Sequence, residues 1–463
     1  MEATGRPGAG ELAAGDNVQG VAGRRRVVSH PVFGEGEILD SRGRGSELLV
    51  RFQSGLRLWL AAGRVRRISQ LDDSLLEDAA PAIRAIDRIQ ARRMVEAFRL
   101  GIVPHQDVET FTFGRDAQVK TVVQALAKLE SGQGDVFIVE GEYGTGKTHL
   151  LEFLHHRALA SGVVASMVQL DPVEVTPDRP KRVYRELVHN LRFIRDGREC
   201  GFRDLMTAAL ELDIADHVFF GPYLRKLRRL EPGNMQAEMF WQLAEGESTK
   251  EFALERRSPY RVRGAQRMPA LYDFSTAADC YCYLISGLSY ISRRLGHKGL
   301  VLLLDEAETV TGPGDVMRLT KSVNFMDGLV GTARNDAELK RLNPRMIHNQ
   351  VRPVPYIYRD SFLLVVFATT PAPYDYAYLR LANRVDHRIA LEPLGDKAMV
   401  DAFANLVAVY LRAYPGFAIA ESEQRQVLQA AARHGADGVR AFLKFCVSAL
   451  DVARWRQVPA RPA

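Results

Sequence analysis

No apolar run in the 463-residue sequence approaches the roughly 20 residues that a membrane-spanning helix requires. The first stretch, MEATGRPGAGELAAGDN, lacks the apolar segment of a secretory signal. These two absences predict a cytoplasmic protein with no membrane partner.

Cysteine is also scarce, and the few residues are irregularly spaced: Cys200, Cys280, Cys282 and Cys446. Such usage gives no disulfide framework and fits a reducing compartment. Cys280 and Cys282 fall in a helical pattern with no second Cys or His pair nearby, so we favour core packing over a metal site there.

Apolar residues make up 46% of the chain, enough for a packed core, and the length suits two or three domains. Residues 1–22 are rich in Gly and Ala and are predicted to be a disordered tail. The formal net charge of +6 is compatible with a polyanion such as DNA as a partner but does not require one. A basic run could face nucleic acid or, more commonly, solvent: Arg225, Lys226, Arg228 and Arg229.

Residues 23–70 show short apolar runs between turn-forming glycines, a pattern typical of a small, strongly bent antiparallel β-barrel. This module resembles the tudor-like domain of UvrD/PcrA-type helicases and the similar module of CarD-type transcription factors. The resemblance rests on Val28-x-His30-x-x-Phe33-Gly34-x-Gly36, Leu49-Val50-x-Phe52-x-x-Gly55 and Trp59-Leu60. It implies binding to a protein or a nucleic acid, and the alternative is a spacer. The flanking arginines could contact phosphates or form a solvated rim: Arg24–Arg26, Arg64, Arg66 and Arg67.

The central motif is Gly141-x-x-x-x-Gly146-Lys147-Thr148, which follows a short apolar strand and opens a helical pattern. This is the P-loop pattern, in which glycines let backbone N–H groups turn towards phosphates without interference from Cβ atoms. Lys147 is expected to reach the β- and γ-phosphates of ATP, and the hydroxyl of Thr148 to bind Mg²⁺. The predicted nucleotide-binding residues of the loop are Gly141, Glu142, Tyr143, Gly144, Thr145, Gly146, Lys147, Thr148 and His149.

A second apolar strand, residues 300–304, ends in Asp305-Glu306. At the C-terminal end of a parallel strand, Asp305 is expected to hold Mg²⁺ through water. Glu306 is expected to orient and deprotonate the attacking water. The sequence therefore predicts hydrolysis of ATP, with Glu306 and Lys147 as catalytic residues.

A third buried run, residues 362–367, leads to Thr369 and Thr370. In ATPases of the AAA+ type, a polar residue at this strand end senses the γ-phosphate. Asn is commoner there, so the two threonines depart from the usual residue.

Three arginines resemble other AAA+ positions. Arg384 and Arg388 precede an extended apolar segment, where an arginine finger would act on the nucleotide of a neighbouring subunit. Arg440, after Gly438, resembles the second sensor of the lid, which binds over the nucleotide. For each arginine, the alternative is an ordinary surface position. A finger that acts on a neighbour implies a homo-oligomer.

The predicted fold is therefore α/β, with an AAA+ P-loop NTPase core on a parallel sheet and a C-terminal helical lid, preceded by the small all-β tudor-like barrel. Residues 71–110 are predicted as a helical linker, 111–392 as the core and 393–463 as the lid. A helical insertion is expected at about 195–273. Within the longer middle segment Asp171–Phe274, the stretches VYRELVHNLRFIR and GPYLRKLRRLEPGNMQAEMFWQL are expected to form helices.

Four stretches resemble the BREX-system ATP-binding family of the BrxC/BrxD type, and BrxD most closely. They are Arg92-Arg93-Met94-Val95-Glu96-Ala97-Phe98-Arg99-x-Gly101, Phe113-Gly114-Arg115, the whole loop Gly141–His149, and Val183-Tyr184-Arg185-x-Leu187-Val188. The distinguishing marks are the Glu142-Tyr143-Gly144 filling of the P-loop and the VYREL stretch. The resemblance spans about residues 80–455. It implies a bacterial anti-phage defence ATPase whose partners are DNA, an Lhr-like helicase or other proteins of the defence system.

The leading hypothesis is an AAA+ ATPase that hydrolyses ATP with Mg²⁺ in phage defence. Three alternatives stay open. The first is a nucleotide-gated assembly switch in which turnover is incidental, and the second is an initiator- or loader-like DNA-binding ATPase without a defence role. The third, suggested by the N-terminal module, is a transcription-associated factor.

Overall fold

The structure is a computed structural model that describes residues 27–30, 32–42, 47–62, 65–68, 86–231, 233–247, 271, 278–310, 316–342, 353–435 and 438–457. Several sequence predictions fall outside these ranges: the tail 1–22, Arg24–Arg26, Arg64, the side chains of Arg66 and Arg67, and residues 71–85 of the linker. Backbone contacts divide the chain into two units, Met1–Gln70 and Leu71–Ala463. Within the described ranges, every helix is too short or too polar to cross a membrane.

The first unit is an antiparallel sheet of β1 (Val27–His30), β2 (Gly34–Arg42), β3 (Glu47–Phe52), β4 (Arg57–Ala61) and β5 (Arg66–Ile68). The strand order is β4-β3-β2-β1-β5, and a register shift between Ile38 and Asp40 bends β2. Its small core contains Val28, Leu48, Val50, Phe52 and Val65. The predicted small all-β module is confirmed, and its likeness to tudor-like domains stays a prediction.

The second unit contains the parallel strands β6 (Asp135–Gly141), β7 (Val164–Gln169), β10 (Leu300–Asp305), β11 (Leu363–Thr369) and β12 (His387–Leu391). Their order across the sheet is β12-β6-β11-β10-β7. Strand β11 therefore lies between β6, which leads into the P-loop, and β10, which carries the acidic pair. All six residues of β10 are buried, as expected for a parallel strand that is covered on both faces. The predicted α/β core on a parallel sheet, with the P-loop after one strand and the acidic pair at the end of another, is confirmed.

Helices cover both faces of this sheet and form the lid. They are α1 (Arg88–Arg99), α2 (Asp116–Glu130), α3 (Lys147–Ala160), α4 (Pro180–His189), α5 (Phe202–Ala208), α6 (Phe220–Leu227), α7 (Met235–Ala244), α8 (Ala278–Arg294), α9 (Val316–Ala333), α10 (Tyr376–Arg384), α11 (Asp396–Ala413), α12 (Glu421–Gly435) and α13 (Val439–Arg456). Short 3-10 turns cover His105–Asp107, Ala209–Glu211, Ala307–Val310 and Ala337–Lys340.

The two faces of the sheet bury alternate residues of each strand. Val301 and Leu303 of β10 pack with α2 and α3 on one face. Leu300 and Leu302 pack with α4, α8 and α9 on the other. This alternation follows from the two-residue period of a strand, and it holds the C-terminal ends of β6, β10 and β11 at one edge of the sheet.

The insertion between α4 and α8 begins with a hairpin, β8 (Phe193–Arg195) and β9 (Arg198–Cys200), and continues with α5, α6 and α7. The prediction of one helix through VYRELVHNLRFIR is wrong at its end, because α4 stops at His189. Asp196 and Gly197 form the hairpin turn with φ values of 51° and 74°, the conformation that two-residue hairpin loops require. Residues 248–270 and 272–277 of the insertion lie outside the described residues.

The C-terminal lid consists of α11, α12 and α13, and α1 packs into the same apolar core. Arg99, the last residue of α1, donates from Nη2 to Asp451 Oδ1 of α13 at 2.9 Å. The helix that the sequence assigned to a linker is thus bound to the lid, more than 300 residues away along the chain. The predicted helical lid is confirmed.

Candidate nucleotide-binding site

The P-loop connects the end of β6 to the start of α3. Gly144 and Gly146 have φ values of 84° and 96°, in the left-handed region that favours glycine. A Cβ atom on Gly141 would lie 2.4 Å from Thr145 Oγ1 and 2.9 Å from Leu391 O. Glycine at these positions therefore lets the loop turn tightly at the N-terminus of α3, where the helix dipole favours an anion.

Lys147 lies inside this loop and is only 8% exposed. Its Nζ donates to Gly141 O at 2.8 Å, to Glu142 O at 3.4 Å and to Thr370 Oγ1 at 3.0 Å. All three N–H groups of the ammonium therefore have acceptors. A bound phosphate would take the place of some of these acceptors.

Asp305 and Thr148 meet beside Lys147. Thr148 Oγ1 donates to Asp305 Oδ2 at 2.6 Å, and Asp305 is 2% exposed. Burial raises the pKa of Asp305, while the hydrogen bond from Thr148 acts against that rise. A hydroxyl and a carboxylate oxygen in contact are ligands that Mg²⁺ accepts, and Mg²⁺ commonly uses one or two protein ligands together with phosphates. The residues present therefore fit this ion.

Glu306 follows Asp305 with a φ of 55°, which is unusual for a residue with a side chain. Its N–H donates to Asp305 Oδ1 at 3.0 Å, and the residue lines the same cavity as Lys147 and Thr148. Left-handed backbone at a non-glycine residue is costly and is often found at functional sites. The chain therefore turns sharply at the end of β10, where Asp305 and Glu306 both line the cavity.

The cavity has a volume of about 360 Å³ and extends from the P-loop to the lid. Part of its wall is apolar: Ile102, Val103, Phe111, Phe113, Leu394, Val439 and Leu443. The sequence did not predict this wall, because its parts come from the segment after α1, the loop before α2, the segment after β12 and the N-terminal turn of α13.

Two titratable side chains of α3 also line the cavity. Burial lowers the pKa of His149 to about 4, with a contribution from Arg115, so the imidazole is neutral at physiological pH. His149 Nε2 lies 2.9 Å from Thr112 Oγ1. Burial, and then the charge of Asp305, raise the pKa of Glu152 to about 7. Glu152 was not predicted from the sequence, since an isolated Glu in a helix carries no signal.

The lid contacts the P-loop directly. Val439 N, in the first turn of α13, donates to Gly144 O at 3.0 Å. Arg440 Nη1 donates to Tyr143 Oη at 3.4 Å, and Arg440 lines the cavity. The predicted second sensor therefore lies at the site, beside the tyrosine that distinguishes this P-loop.

Arg115 holds the other side of the loop. It is 8% exposed and donates from Nη2 to Thr145 O and to Glu392 O, each at 2.7 Å. One buried guanidinium thus connects the P-loop to the segment that follows β12.

The two predicted finger arginines are not among the residues that line this cavity. Arg384, at the end of α10, is within 4.0 Å of Asp327 and 3.9 Å of Asp336. Arg388, in β12, lies 3.7 Å from Glu140 and also donates to the Ala382 carbonyl. A residue that acts on a neighbouring subunit needs no place in its own cavity, so the finger assignment stays a prediction.

The two threonines after β11 differ in their surroundings. Thr370 Oγ1 accepts from Lys147 and donates to Glu308 Oε1 at 2.7 Å. Thr369 is 2% exposed and its hydroxyl donates to Thr370 O at 3.3 Å. Only Thr370 thus contacts the P-loop lysine. Glu308, which lines the cavity, was not predicted, although it stands two residues after Glu306 in the stretch DEAE.

Comparison with known proteins supports the family resemblance. The family described as "BREX system ATP-binding protein BrxC/D" matches residues 86–211, which include α1, the P-loop and α4. No curated protein matches the chain.

Two solved structures are similar to parts of this fold. One belongs to the Escherichia coli MS115-1 HORMA:CdnC:Trip13 complex, with 10% identity, a TM-score of 0.32, and coverage of 71% of this chain and 77% of that chain. The other is the Aeropyrum pernix ORC1 protein in complex with DNA, with 13% identity, a TM-score of 0.34, and coverage of 75% and 62%. Likeness at this level bears on neither activity nor partner.

Proposed function

We propose that this chain, which matches the BREX system ATP-binding family over residues 86–211, is a Mg²⁺-dependent ATPase of the AAA+ type. The observation that carries the proposal is the meeting of three elements at one cavity. Lys147 of the P-loop, Thr148 of α3 and Asp305 of β10 lie together, and the contact between Thr148 and Asp305 is 2.6 Å.

The cavity suits the two ends of ATP. The backbone of Gly141–Thr148 and the ammonium of Lys147 would bind the phosphates, because N–H groups and a cation converge there. The apolar wall that includes Ile102 and Phe113 would take the base. Arg440 would bind over the phosphates from the lid side, next to Tyr143.

Hydrolysis needs a water that is positioned and deprotonated. Thr148 and Asp305 would hold Mg²⁺, which neutralises charge that develops on the phosphates. Glu306 is the carboxylate that we assign to the attacking water, because it lines the cavity and is free of the contact that occupies Asp305. Arg384 or Arg388 would serve the site of a neighbouring copy, which makes the active form a homo-oligomer.

The first experiment compares nucleotide binding and hydrolysis by the full chain and by Lys147→Ala. Each charged hydrogen bond to phosphate is worth about 1.5–3 kcal/mol, so we expect ATP affinity to fall roughly tenfold to a hundredfold and hydrolysis to be lost. Lys120→Ala is the matched control, since Lys120 is an exposed lysine of α2 that does not line the cavity. Unchanged ATP binding by Lys147→Ala would refute the proposed site.

The biological role that we propose is bacterial anti-phage defence of the BREX type, acting with DNA or a helicase partner. The family match supports the system, and the net charge of +6 is compatible with DNA. Cells that carry the complete system with Lys147→Ala should lose protection against phage in a plaque assay, whereas Lys120→Ala should retain it. Full protection by Lys147→Ala would show that defence does not require ATP binding by this chain.

A second function, a nucleotide-gated switch, is favoured by the contact between Val439 and Gly144, because binding alone could change how the lid meets the P-loop. Glu306→Gln distinguishes the two. If turnover drives the function, this variant binds ATP but loses protection. If binding is sufficient, protection is retained while hydrolysis is lost.

A further inference from the structure

Three side chains from different parts of the chain form a hydrogen-bonded relay beside the P-loop. Lys147 Nζ donates to Thr370 Oγ1 at 3.0 Å, and Thr370 Oγ1 donates to Glu308 Oε1 at 2.7 Å. Glu308 lies in the 3-10 turn Ala307–Val310, directly after the acidic end of β10. The relay thus connects the P-loop, the end of β11 and the end of β10.

The hydroxyl of Thr370 has a single proton. In the relay that proton is directed to Glu308, and the oxygen accepts from Lys147. Thr370 therefore has no proton left for a phosphate oxygen. To donate to a γ-phosphate, the hydroxyl would have to rotate away from Glu308.

The second oxygen of Glu308 makes the carboxylate a strong competitor for that proton. Glu308 Oε2 is buried and has no hydrogen-bond partner among the described residues. With one oxygen unpartnered, the carboxylate depends on Thr370 for the hydrogen bond it does form, and a bond to a charged acceptor is about twice as strong as one between neutral groups.

We propose that Glu308 is a positioning residue that competes with the γ-phosphate for the hydroxyl proton of Thr370 and so sets how well the site distinguishes ATP from ADP. This inference rests on the proposed nucleotide site. ADP lacks the γ-phosphate, so the competition affects ATP alone. Glu308 weakens ATP binding relative to ADP, and it restores the relay once the γ-phosphate has left.

The test is equilibrium binding of ATP and of ADP to the full chain in Mg²⁺-free buffer, where neither hydrolysis nor the metal contributes. Glu308→Gln keeps the shape of the side chain but offers a neutral acceptor, so Thr370 is held less strongly. We expect the ratio of ATP affinity to ADP affinity to rise by about threefold to tenfold, the range of a weakened charged hydrogen bond. Thermal unfolding of each variant reports whether it is folded.

A double-mutant cycle separates the relay from a general effect of charge. Thr370→Val removes the hydroxyl, and in that background Glu308→Gln should no longer change the ratio through the relay. Thr370→Ser, which keeps a hydroxyl, should restore the effect of Glu308→Gln. Glu152→Gln is the matched control, because Glu152 is another carboxylate that lines the cavity but makes no contact with Thr370 among the described residues. Its effect on the ratio should be the same with and without the hydroxyl of Thr370.

Three results would overturn the inference. The first is a ratio that Glu308→Gln leaves unchanged or lowers. The second is an equal rise in the Thr370→Val background, and the third is an equal rise from Glu152→Gln. In each of these cases the wild-type chain still binds both nucleotides, so the proposed site stands and only the role of Glu308 fails. A wild-type chain that binds neither nucleotide would refute the site and the inference together.

Discussion

Gly438 offers the sharpest test of how the lid meets the P-loop. It precedes α13 with a φ of 101° and a ψ of 168°, a region that is essentially restricted to glycine. A Cβ atom there would lie 2.6 Å from Gly144 O and 2.9 Å from both Gly144 C and Gly144 Cα. Because all three neighbours are backbone atoms of the P-loop, no side-chain rotation can relieve the contact.

The expected penalty of Gly438→Ala has two parts. The backbone conformation costs about 1–3 kcal/mol for a residue with a side chain. The contacts of 2.6–2.9 Å between the added Cβ atom and the Gly144 backbone add to that cost, and α13 can avoid them only by giving up the hydrogen bond from Val439 N to Gly144 O. The arrangement in which Arg440 lines the cavity is therefore disfavoured by about 1–3 kcal/mol from the backbone alone, so ATP affinity should fall by about fivefold to a hundredfold.

Titration calorimetry with ATP measures this loss, and Gly416→Ala is the matched control. Gly416 also lies in the lid and has a φ of 98°, but a Cβ atom added to it would have nothing within 4 Å. Gly416→Ala should therefore lower the free energy of unfolding by about 1–2 kcal/mol and leave ATP affinity unchanged. Wild-type affinity in Gly438→Ala, or an equal loss in Gly416→Ala, would refute the proposed contribution of the lid contact.

Two further predictions concern stability. In chemical denaturation, Glu306→Gly should be more stable than Glu306→Ala by about 0.5–1 kcal/mol. Glycine relieves the strain of the left-handed backbone at φ 55°, and its greater freedom in the unfolded chain offsets part of that gain. Equal stability of the two variants would contradict the proposed backbone strain at Glu306. Burial lowers the pKa of His217 to about 3 and that of His155 to about 4, so the unfolded chain, with a histidine pKa near 6.5, binds more protons between those values. Stability should fall as the pH drops from 6.5 towards 4. His217→Asn removes the titrating group but keeps an acceptor for the N–H groups of Phe219 and Phe220. The loss of stability between pH 7 and pH 4.5, measured from denaturation midpoints, should therefore be smaller in this variant than in wild type. An unchanged pH dependence would contradict this prediction.

The elements that the sequence predicted well are those whose signal is local. The P-loop follows β6 and opens α3 as its spacing requires, and the apolar run before Asp305 is the fully buried strand β10. Because such strands are buried on both faces, they are apolar throughout, and they can be recognised in the sequence without knowing which elements pack against them. Lys147, Thr148 and Asp305 could be brought together from the sequence because P-loop chemistry demands all three.

The features that the sequence did not predict depend on contacts between distant segments. The apolar wall of the cavity takes Ile102 from after α1 and Leu443 from α13. Glu308 gains its importance from Thr370, 62 positions later in the chain. From the sequence alone, Glu308 looks like one more solvent-exposed acid beside the acidic pair. Its role depends on the end of β11, which the fold brings next to it. The hairpin β8-β9 was missed for a related reason, because Phe193 and Ile194 continue an apolar pattern that helix and strand share.

The residues that carry the family resemblance make long-range contacts of the same kind. Gly101 has a φ of 71°, and a Cβ atom on it would lie 2.2 Å from Arg440 Cγ and 2.8 Å from Arg440 O. Tyr143, which has no evident phosphate chemistry, accepts a hydrogen bond from Arg440 through its hydroxyl. The glycine after α1 and the tyrosine of the P-loop therefore both lie against one arginine of the lid. Because that arginine lines the nucleotide cavity, the residues that set this P-loop apart serve to join it to the lid, and the phosphate chemistry is left to the glycines, Lys147 and Thr148.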